Sequence, residues 1–356
     1  YNSNFWQTES EEVGVNTYTV KSGLVFGYET EKTQIDFDGT VDAYWYDDQD
    51  TPPAGVRDSS DDDYIGANIQ GKANYQATDR MNLGLRDEFF ITRDPARAEG
   101  NQNSLSRDKY TINYFEPSVY YSFVDKFGIM TKYRNTYTNY DKDLEDSNEH
   151  RGIFDVFYDL NRSSAIYIDY AIWYRDYSQT TSDYTSNQIR LGYEHQFNYF
   201  KLEGGGGYHH RSFEGNTNKD LDMFSWKLEL KGQDPDTTDL TTRSKMNMSI
   251  GQELNDDGTG EDYFVATFFR FDGFYRLTER LKLSTELAYQ NSNYEFDERD
   301  ENTYYGSLGV GFLTFDFLTL GIEGGLESRD SNLAGNDYDD KFVMLKLDID
   351  YDFGSR

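Results

Sequence analysis

Hydrophobic and polar residues alternate with a period of two along nearly the whole chain. The clearest case is near the C-terminal end, where Val343, Leu345, Leu347, Ile349, Tyr351 and Phe353 alternate with Met344, Lys346, Asp348, Asp350 and Asp352. Successive side chains of a β-strand point to opposite faces, whereas a helix would scatter the polar set around its circumference. The same alternation around residues 35–45, 224–231, 246–250, 281–287 and 318–323 predicts an all-β chain.

The connections between the predicted strands alternate between short and long. Short turns are predicted around residues 30–32, 78–80, 124–126, 161–163, 198, 233–239, 278–280 and 316. Long polar loops are predicted around residues 47–63, 94–108, 141–148, 178–183, 214–220, 255–262, 297–302 and 330–340. Tight periplasmic turns and longer external loops are typical of outer-membrane barrels. The pattern therefore predicts a transmembrane antiparallel up-and-down β-barrel with long acidic extracellular loops.

Counting strands backwards from the C-terminal end predicts about eighteen of them, and even numbers are the rule for bacterial barrels. The last strand should end in the periplasm, with Phe353 as its closing aromatic residue. The strand near residues 16–29 then starts outside the cell, and residues 1–8 form the tail of the first strand. We expect that strand to begin before Tyr1 and to pair with residues 341–353.

Composition separates this prediction from a soluble β-sandwich or propeller, which would also alternate. The chain has 31 Tyr and 25 Phe, yet only 36% of its residues are hydrophobic. A soluble domain of this size would carry more aliphatic residues for a single core. Its exposed face would also lack bands of Tyr and Phe at the strand ends, which a membrane barrel requires.

Charge and the absence of certain segments narrow the protein class further. The net charge of −31 argues against a nucleic-acid partner and against peripheral binding to anionic lipid. No cysteine is present, which excludes disulfides and thiolate metal sites. No signal peptide or long apolar helix is visible, so we expect a mature bacterial outer-membrane protein. We predict one barrel domain, residues 1–353, and a short tail at residues 354–356 of the kind left by cloning.

The first nine residues, Tyr-Asn-Ser-Asn-Phe-Trp-Gln-Thr-Glu, carry a family resemblance. They resemble the start of a family of outer-membrane β-barrel porins, in which a Tyr-Asp/Asn-x-Asn-aromatic element ends the first strand and leads into an acidic loop. Here Glu9, Glu11 and Glu12 fill that loop. Members of the family are often associated with exopolysaccharide production and export, so the resemblance implies a porin-like barrel but transfers no catalytic or binding residue.

If the apolar set of each strand faces lipid, the other set lines an aqueous lumen of mixed charge. The lumen-lining candidates are Asp36, Asp38, Lys72, Arg86, Glu116, Lys132, Arg134, Asp169, Arg175, Arg190, Glu203, Arg211, Arg243, Lys245, Arg270, Glu286, Glu323, Lys346, Asp348 and Asp350. Facing rows of acids and bases can tune the selectivity of a pore. Any large barrel must also line its wet interior with polar groups. Each of these residues therefore also has a purely structural interpretation, in which it only keeps the wall compatible with water.

Aromatic residues have two readings. Trp45, Tyr46, Trp173 and Tyr174 are predicted for the interfacial girdles. Alternatively, Tyr44, Tyr114, Tyr120, Tyr167 and Trp173 point inward, where their rings would stack on sugar rings. The glycine run 204–207 permits a bend, a bulge or a close approach of neighbouring strands.

The acidic loops suggest binding of divalent cations, whereas the histidines give little indication of catalysis or metal binding. Residues 47–63 are rich in Asp, which suits bound Ca²⁺ or Mg²⁺, a cation-attracting funnel, or simply a solvated loop. No resident cofactor or other metal site is predicted. His209 with Glu203 or Asp220 is the best catalytic candidate, and nothing else supports it, so we predict that the chain is not an enzyme.

Three functions remain open on the sequence. The first is a porin-like channel for polar solutes, with a saccharide or an exported polysaccharide as permeant. The second is a scaffold or sheath around a partner, such as a periplasmic export component or an electron-carrying cytochrome. The third is a surface protein acting through its acidic loops. In each case outer-membrane lipid and lipopolysaccharide are the expected surroundings.

Overall fold

The computed structural model describes residues 1–4, 13–49, 51, 58–93, 108–124, 126–141, 145–179, 182–215, 220–233, 242–256, 263–295 and 298–350. These residues form seventeen β-strands and one short 3-10 turn at Ser59–Asp62. The strands are β1 (Val15–Glu29), β2 (Thr33–Asp48), β3 (Tyr64–Thr78), β4 (Met81–Thr92), β5 (Tyr110–Val124), β6 (Phe127–Tyr140), β7 (Ser147–Asn161), β8 (Ser164–Tyr177), β9 (Tyr184–Gln196), β10 (Phe200–Phe213), β11 (Leu221–Gln233), β12 (Ser244–Asp256), β13 (Tyr263–Arg276), β14 (Leu281–Tyr294), β15 (Asp300–Phe315), β16 (Leu318–Ser331) and β17 (Tyr338–Ile349).

Each strand from β1 to β16 pairs antiparallel with the next strand along the chain. This is the predicted up-and-down order, and it arises because each connection is local. The register shifts by one residue beside four of the short turns, for example between Gln76 and Thr78 and between Ser122 and Val124. Bulges at barrel rims increase the local twist of the strands.

The two ends of the sheet differ in connection length, as the sequence predicts. At one end β1–β2, β3–β4, β7–β8 and β15–β16 are joined by two or three residues. At the other end residues 49–63 and 93–109 form the longest connections. The connection between β11, which ends at Gln233, and β12, which begins at Ser244, is longer than the predicted range 233–239, and residues 234–241 lie outside the described residues.

Residues 1–4 lie between the two edge strands of the sheet. Asn2 bridges to Val15 of β1 and to Phe342 of β17. The Asn2 N–H donates to the Val15 carbonyl at 2.9 Å, and the Val343 N–H donates to the Tyr1 carbonyl at 3.0 Å. Since one residue contacts both edges, the seventeen strands must curl through a full turn.

The Asn residues of the N-terminal element hold this junction. The Asp340 carboxylate accepts the N–H groups of Ser3 and Asn4, each at 3.0 Å, and the buried Asn4 amide donates to the Asp339 carbonyl. The predicted pairing of the N-terminal segment with β17 is thus present at residues 1–4. Within the described ranges β1 and β17 do not pair with each other, so the sheet is not closed along its length. Residues 5–8 and Phe353, on which the full eighteen-strand closure depends, lie outside the described residues.

The two faces of the sheet are inverted relative to a soluble protein. We call the face that carries Val343, Leu345 and their register partners the apolar face, and the face that carries Lys346 and Asp348 the polar face. Leu345 is 81% exposed and Leu308 is 71% exposed on the apolar face. On the polar face, Glu149 is 1% exposed and Asp155 is 6% exposed. The polar face is therefore concave and sheltered, and the apolar face needs an apolar solvent.

Aromatic residues flank the apolar face at both ends of the strands. Tyr18 opposes Trp45 near the long-loop end, and Tyr289 opposes Tyr304 there with ring centroids 5.2 Å apart. Near the short-turn end, exposed rings include Tyr28, Tyr75, Tyr121, Phe123, Tyr158, Tyr199, Phe315 and Phe317. Two such bands correspond to the two interfaces of a bilayer. In the described part of the chain, no helix has the length and apolar character needed to cross a membrane.

Candidate functional site: the polar face of the barrel

The register places eighteen of the twenty lumen-lining candidates on the polar face. They are Asp36, Asp38, Lys72, Arg86, Glu116, Lys132, Arg134, Asp169, Arg175, Arg190, Glu203, Arg211, Lys245, Arg270, Glu286, Glu323, Lys346 and Asp348. Rows of direct neighbours run across the sheet, as in Asp36–Lys72–Arg86–Glu116.

The other two candidates lie just outside the strands. Arg243 precedes β12, and its guanidinium lies over the ring of Tyr275 on the apolar face, with 5.4 Å between Cζ and the ring centroid. Because Arg243 lies outside the strand, the alternation within β12 does not fix the direction of its side chain. Asp350 follows the last residue of β17, and its N–H donates to the Phe317 carbonyl.

Many charges of the polar face pair across neighbouring strands. Arg134 contacts Glu116 at 2.8 Å, Arg190 contacts Asp169 at 3.0 Å, and Lys346 contacts Glu323 at 2.5 Å. Cross-strand neighbours lie close enough for such pairs on one face of an antiparallel sheet. The pairing explains how a sheltered wall can carry so many charged groups.

One part of the polar face departs from this even mixture of charges. A cavity of about 310 Å³ lies against β7–β12. Its lining includes the basic residues Arg151, Arg175, Arg190, Arg211 and Lys227 and the acidic residues Glu149 and Glu253. We call this region the cationic cavity, because bases outnumber acids there in a chain of strongly negative net charge.

Aromatic rings and one carboxylate hold the arginines of the cationic cavity. Glu149 accepts a hydrogen bond from Arg151 at 2.9 Å and forms an ion pair with Arg175 at 3.0 Å. The Arg151 guanidinium lies 4.3 Å from the centroid of Trp173, and that of Arg211 lies 4.0 Å from the centroid of Tyr184. Cation–π contacts of this kind are stronger when they are desolvated. The guanidinium groups are therefore fixed in position before any ligand arrives.

Sequence reasoning missed Glu149 and Arg151 as functional residues. Both lie on β7 at even spacing from Asp155, so the period-two pattern could have placed them on the polar face. Their convergence with Arg175 and Trp173 depends on the β7–β8 register, in which Glu149 opposes Arg175 and Arg151 opposes Trp173. That register is not visible in either strand alone.

The glycine run of β10 allows close packing and does not form a bulge. β10 pairs without a register shift with both β9 and β11. Tyr167, Gly192 and Gly205 form one row across β8, β9 and β10. A Cβ atom at Gly192 would lie 2.1 Å from the Tyr167 ring, so the ring occupies the space that a side chain would need there. Its hydroxyl donates to Glu203 at 3.2 Å.

The structure divides the aromatic candidates between the two faces. Tyr44, Tyr114, Tyr120, Tyr167 and Trp173 lie on the polar face, as the inward reading expects. Tyr46 and Trp173, predicted for the girdles, are buried on that face, and this prediction is wrong. Neighbouring residues of a strand point to opposite faces, so Trp45 and Tyr46 cannot both face lipid.

The histidines of β10 point to opposite faces, as expected. The ring of His209 packs 5.0 Å from that of Trp173 on the polar face, and His210 contacts Asp222 at 2.7 Å. Glu203 lies six residues from His209 on the same strand, roughly 20 Å away at the usual strand rise. Within the described ranges, no group of three or more His, Asp or Glu residues is arranged to hold a metal.

Three described carboxylates of the loop at residues 47–63 are held by contacts with the loop or with residues next to it in the structure. Asp63 accepts the Tyr46 N–H, Asp48 accepts the Ser59 N–H, and Asp62 pairs with Arg93 at 2.9 Å. Hydrogen bonds from Ser60 hold the pKa of Asp58 below its ordinary value. Residues 50 and 52–57, on which the proposed loop-bound cations largely depend, lie outside the described residues.

The chain is similar to one protein family over part of its length and to several solved structures. Residues 201–351 match the family described as "Putative beta-barrel porin 2". Pseudomonas aeruginosa OpdK with vanillate has a TM-score of 0.47 at 9% identity, over 93% of this chain and 95% of that chain. The Neisseria meningitidis iron transporter FrpB (F3-3 variant) has a TM-score of 0.47 at 10% identity, over 91% of this chain and 62% of that chain. Pseudomonas aeruginosa OccK2 (OpdF) in complex with glucuronate has a TM-score of 0.45 at 8% identity, over 95% of this chain and 96% of that chain.

No curated protein sequence matches this chain. The porin family match, the exposed apolar face and the two aromatic bands together place the protein in the bacterial outer membrane. Its fold is the antiparallel up-and-down barrel of that membrane.

Proposed function

Starting from the match of residues 201–351 to a family of β-barrel porins, we propose that this protein is a passive outer-membrane channel whose permeants are saccharides. The observation that carries the proposal is the sheltered polar face. A barrel of this strand number encloses an aqueous space. The charged pairs on its concave wall require water around them, because charges in a dry interior are costly to keep.

Aromatic rings on the polar face support a saccharide as the class of permeant. Tyr44 and Tyr64 stack with centroids 4.6 Å apart and an interplanar angle of 4°. The Tyr167 ring lies against Gly192 on another part of the wall. Flat rings next to charged and hydroxyl groups offer both an apolar surface and hydrogen-bonding partners. A sugar presents the complementary combination, with C–H groups on its ring faces and hydroxyl groups at its edges.

The N-terminal element supports the same class. Its Tyr1, Asn2 and Asn4 join β1 to β17, so the segment that resembles the exopolysaccharide-associated porins is part of the barrel wall. A scaffold or sheath around a partner protein would need the same wall but would not need it to be open.

Planar-bilayer recording of the purified barrel tests the channel. We expect stepwise current, together with permeation of maltotriose into liposomes that contain the protein. A protein that is folded by heat-modifiable gel migration but gives no current, and that co-purifies with a stable partner, would favour the scaffold. Current without any maltotriose permeation would contradict the saccharide part of the proposal and leave a channel for small ions.

A further inference from the structure

The cationic cavity has properties that a general pore wall does not need. We propose that it is a binding site for the carboxylate-bearing sugar unit of an acidic saccharide, a site that makes the channel favour uronate-type over neutral saccharides. The inference rests on the proposed saccharide channel and deepens it. It is carried by the charge of the cavity, two buried donors that lack a partner, and the fixed arginines.

The described lining of the cationic cavity has a local excess of positive charge. Five basic side chains, from Arg151 to Lys227, and two carboxylates line the cavity, whereas the chain as a whole has a net charge of −31. Arg190 contacts Asp169, and Arg151 and Arg175 share the carboxylate of Glu149, so the described lining still carries more bases than acids. At physiological salt, repulsion between the acidic loops and an anion is screened beyond about 8–10 Å. An anion that reaches the cavity is therefore attracted by its bases.

Two buried donors of the lining provide independent support. Among the described residues, the indole N–H of Trp173 has no hydrogen-bond partner, although this residue is only 5% exposed. The buried side-chain N–H₂ of Asn255 also has no partner within that part of the chain. Buried donors are rarely left unsatisfied in native proteins, because losing their bonds to water destabilises the folded state. Both residues line the cavity, so an acceptor placed there would satisfy them.

The arginine geometry favours a carboxylate as that acceptor. Trp173 and Tyr184 support the planes of Arg151 and Arg211, and Ser186 accepts the Nε–H of Arg211 at 3.0 Å. A guanidinium with a fixed plane offers a fork of N–H groups that matches a carboxylate in bidentate fashion. Because the rings already restrain these side chains, little conformational entropy is lost on binding.

The size and the remaining polar groups favour a sugar unit as the carrier of the carboxylate. A volume of about 310 Å³ is at the lower end of the range for small-molecule sites. Gln188 donates to the Ser225 hydroxyl at 2.9 Å, and Glu253 lines the other side. Amide, hydroxyl and carboxylate groups together can donate to and accept from sugar hydroxyls.

Binding to the full chain in detergent tests this site independently of conductance. The probe is trigalacturonate, with maltotriose as the neutral control and inorganic sulfate as the simple-anion control, all measured by isothermal titration calorimetry. We expect binding of trigalacturonate at least ten times tighter than binding of either control. Equal binding of sulfate would overturn the sugar-specific site, and equal binding of maltotriose would overturn the role of the carboxylate.

Two variants and one matched control locate the site. Trp173→Phe keeps a ring beneath Arg151 but removes the indole N–H, and Arg211→Gln removes one guanidinium. Each should weaken trigalacturonate binding about three- to tenfold. Arg270→Gln, on the polar face but outside the cavity, should leave it unchanged. Equal weakening by all three variants, or by none, would overturn the assignment.

A measurement on the unchanged protein covers the case in which a variant fails to fold. Phenylglyoxal modifies accessible arginines, and mass spectrometry reports which ones react. Trigalacturonate should protect the partly exposed Arg151 and Arg190 several-fold, whereas maltotriose should not. Absence of protection in a protein that still conducts would overturn the binding site while leaving the channel intact.

Discussion

The cationic cavity and an acidic strip belong to the same polar face but are built differently. We define the acidic strip as Asp36 and Asp38 of β2, Glu323 of β16 and Asp348 of β17. In the cavity, Glu149 is almost fully buried between two guanidinium groups. In the strip, Asp36, Asp38 and Asp348 are exposed. The difference teaches that the charges of the cavity are held by buried side-chain contacts, whereas those of the strip are exposed to solvent.

Removing the central carboxylate of the cavity should have the largest effect. Glu149→Gln leaves Arg151 and Arg175 close together in a sheltered place, and breaking a buried pair costs on the order of 3 kcal/mol. We expect a lower temperature for the shift in heat-modifiable gel migration, together with a higher anion preference in conducting channels. The matched change Asp36→Asn should alter stability by less than about 1 kcal/mol, because its carboxylate is exposed. Similar losses in the two variants would contradict the contrast.

Close strand packing under the cavity predicts the next effect. A Cβ atom at Gly207 would lie 1.8 Å from the Ile189 carbonyl oxygen, and backbone cannot yield as a side chain can. Gly207→Ala should therefore destabilise the barrel by about 1–3 kcal/mol. Gly71→Ala on β3 is the control, since an added Cβ there has no atom within 4 Å. A gel-shift temperature that falls equally in both would show that glycine itself, and not the close approach, matters.

Charge neutralisation on each wall should move ion selectivity in opposite directions. Arg190→Gln with Lys227→Gln should shift the reversal potential in a KCl gradient towards cation preference. Asp36→Asn with Asp38→Asn should shift it towards anion preference, because fixed charges in a pore attract counter-ions. The acidic pair should be the more sensitive to added salt, since its charges are the more exposed. Shifts of the same sign in the two double variants would refute two functionally distinct walls.

The contrast between the walls also marks what a single sequence can predict. Alternation assigned Asp36, Lys346 and Asp348 to one face because period two is a property of one strand. The cavity needed the register between strands: Arg151 meets Trp173, and Glu149 meets Arg175, across the β7–β8 pair. The doublets at Trp45–Tyr46 and Trp173–Tyr174 misled the girdle prediction, because their composition was read without their alternation. The number of strands could be predicted closely, because each turn is visible in a short stretch of sequence. Closure of the sheet, by contrast, joins residues 340 positions apart along the chain.

The smallest predicted effect concerns the stacked rings near the acidic strip. Tyr64→Leu removes one ring of the Tyr44–Tyr64 stack, which is worth about 0.5–1.5 kcal/mol beyond simple area burial. If these rings guide neutral sugars, maltotriose permeation into liposomes should fall several-fold while trigalacturonate binding at the cationic cavity stays unchanged. Tyr18→Leu, on the apolar face opposite Trp45, controls for a general effect of losing a ring from the barrel. Equal loss of maltotriose permeation in both variants would mean that the rings support the wall and do not contact the sugar. A loss confined to Tyr64→Leu would show that neutral sugars pass by one part of the polar face while acidic sugars bind at another.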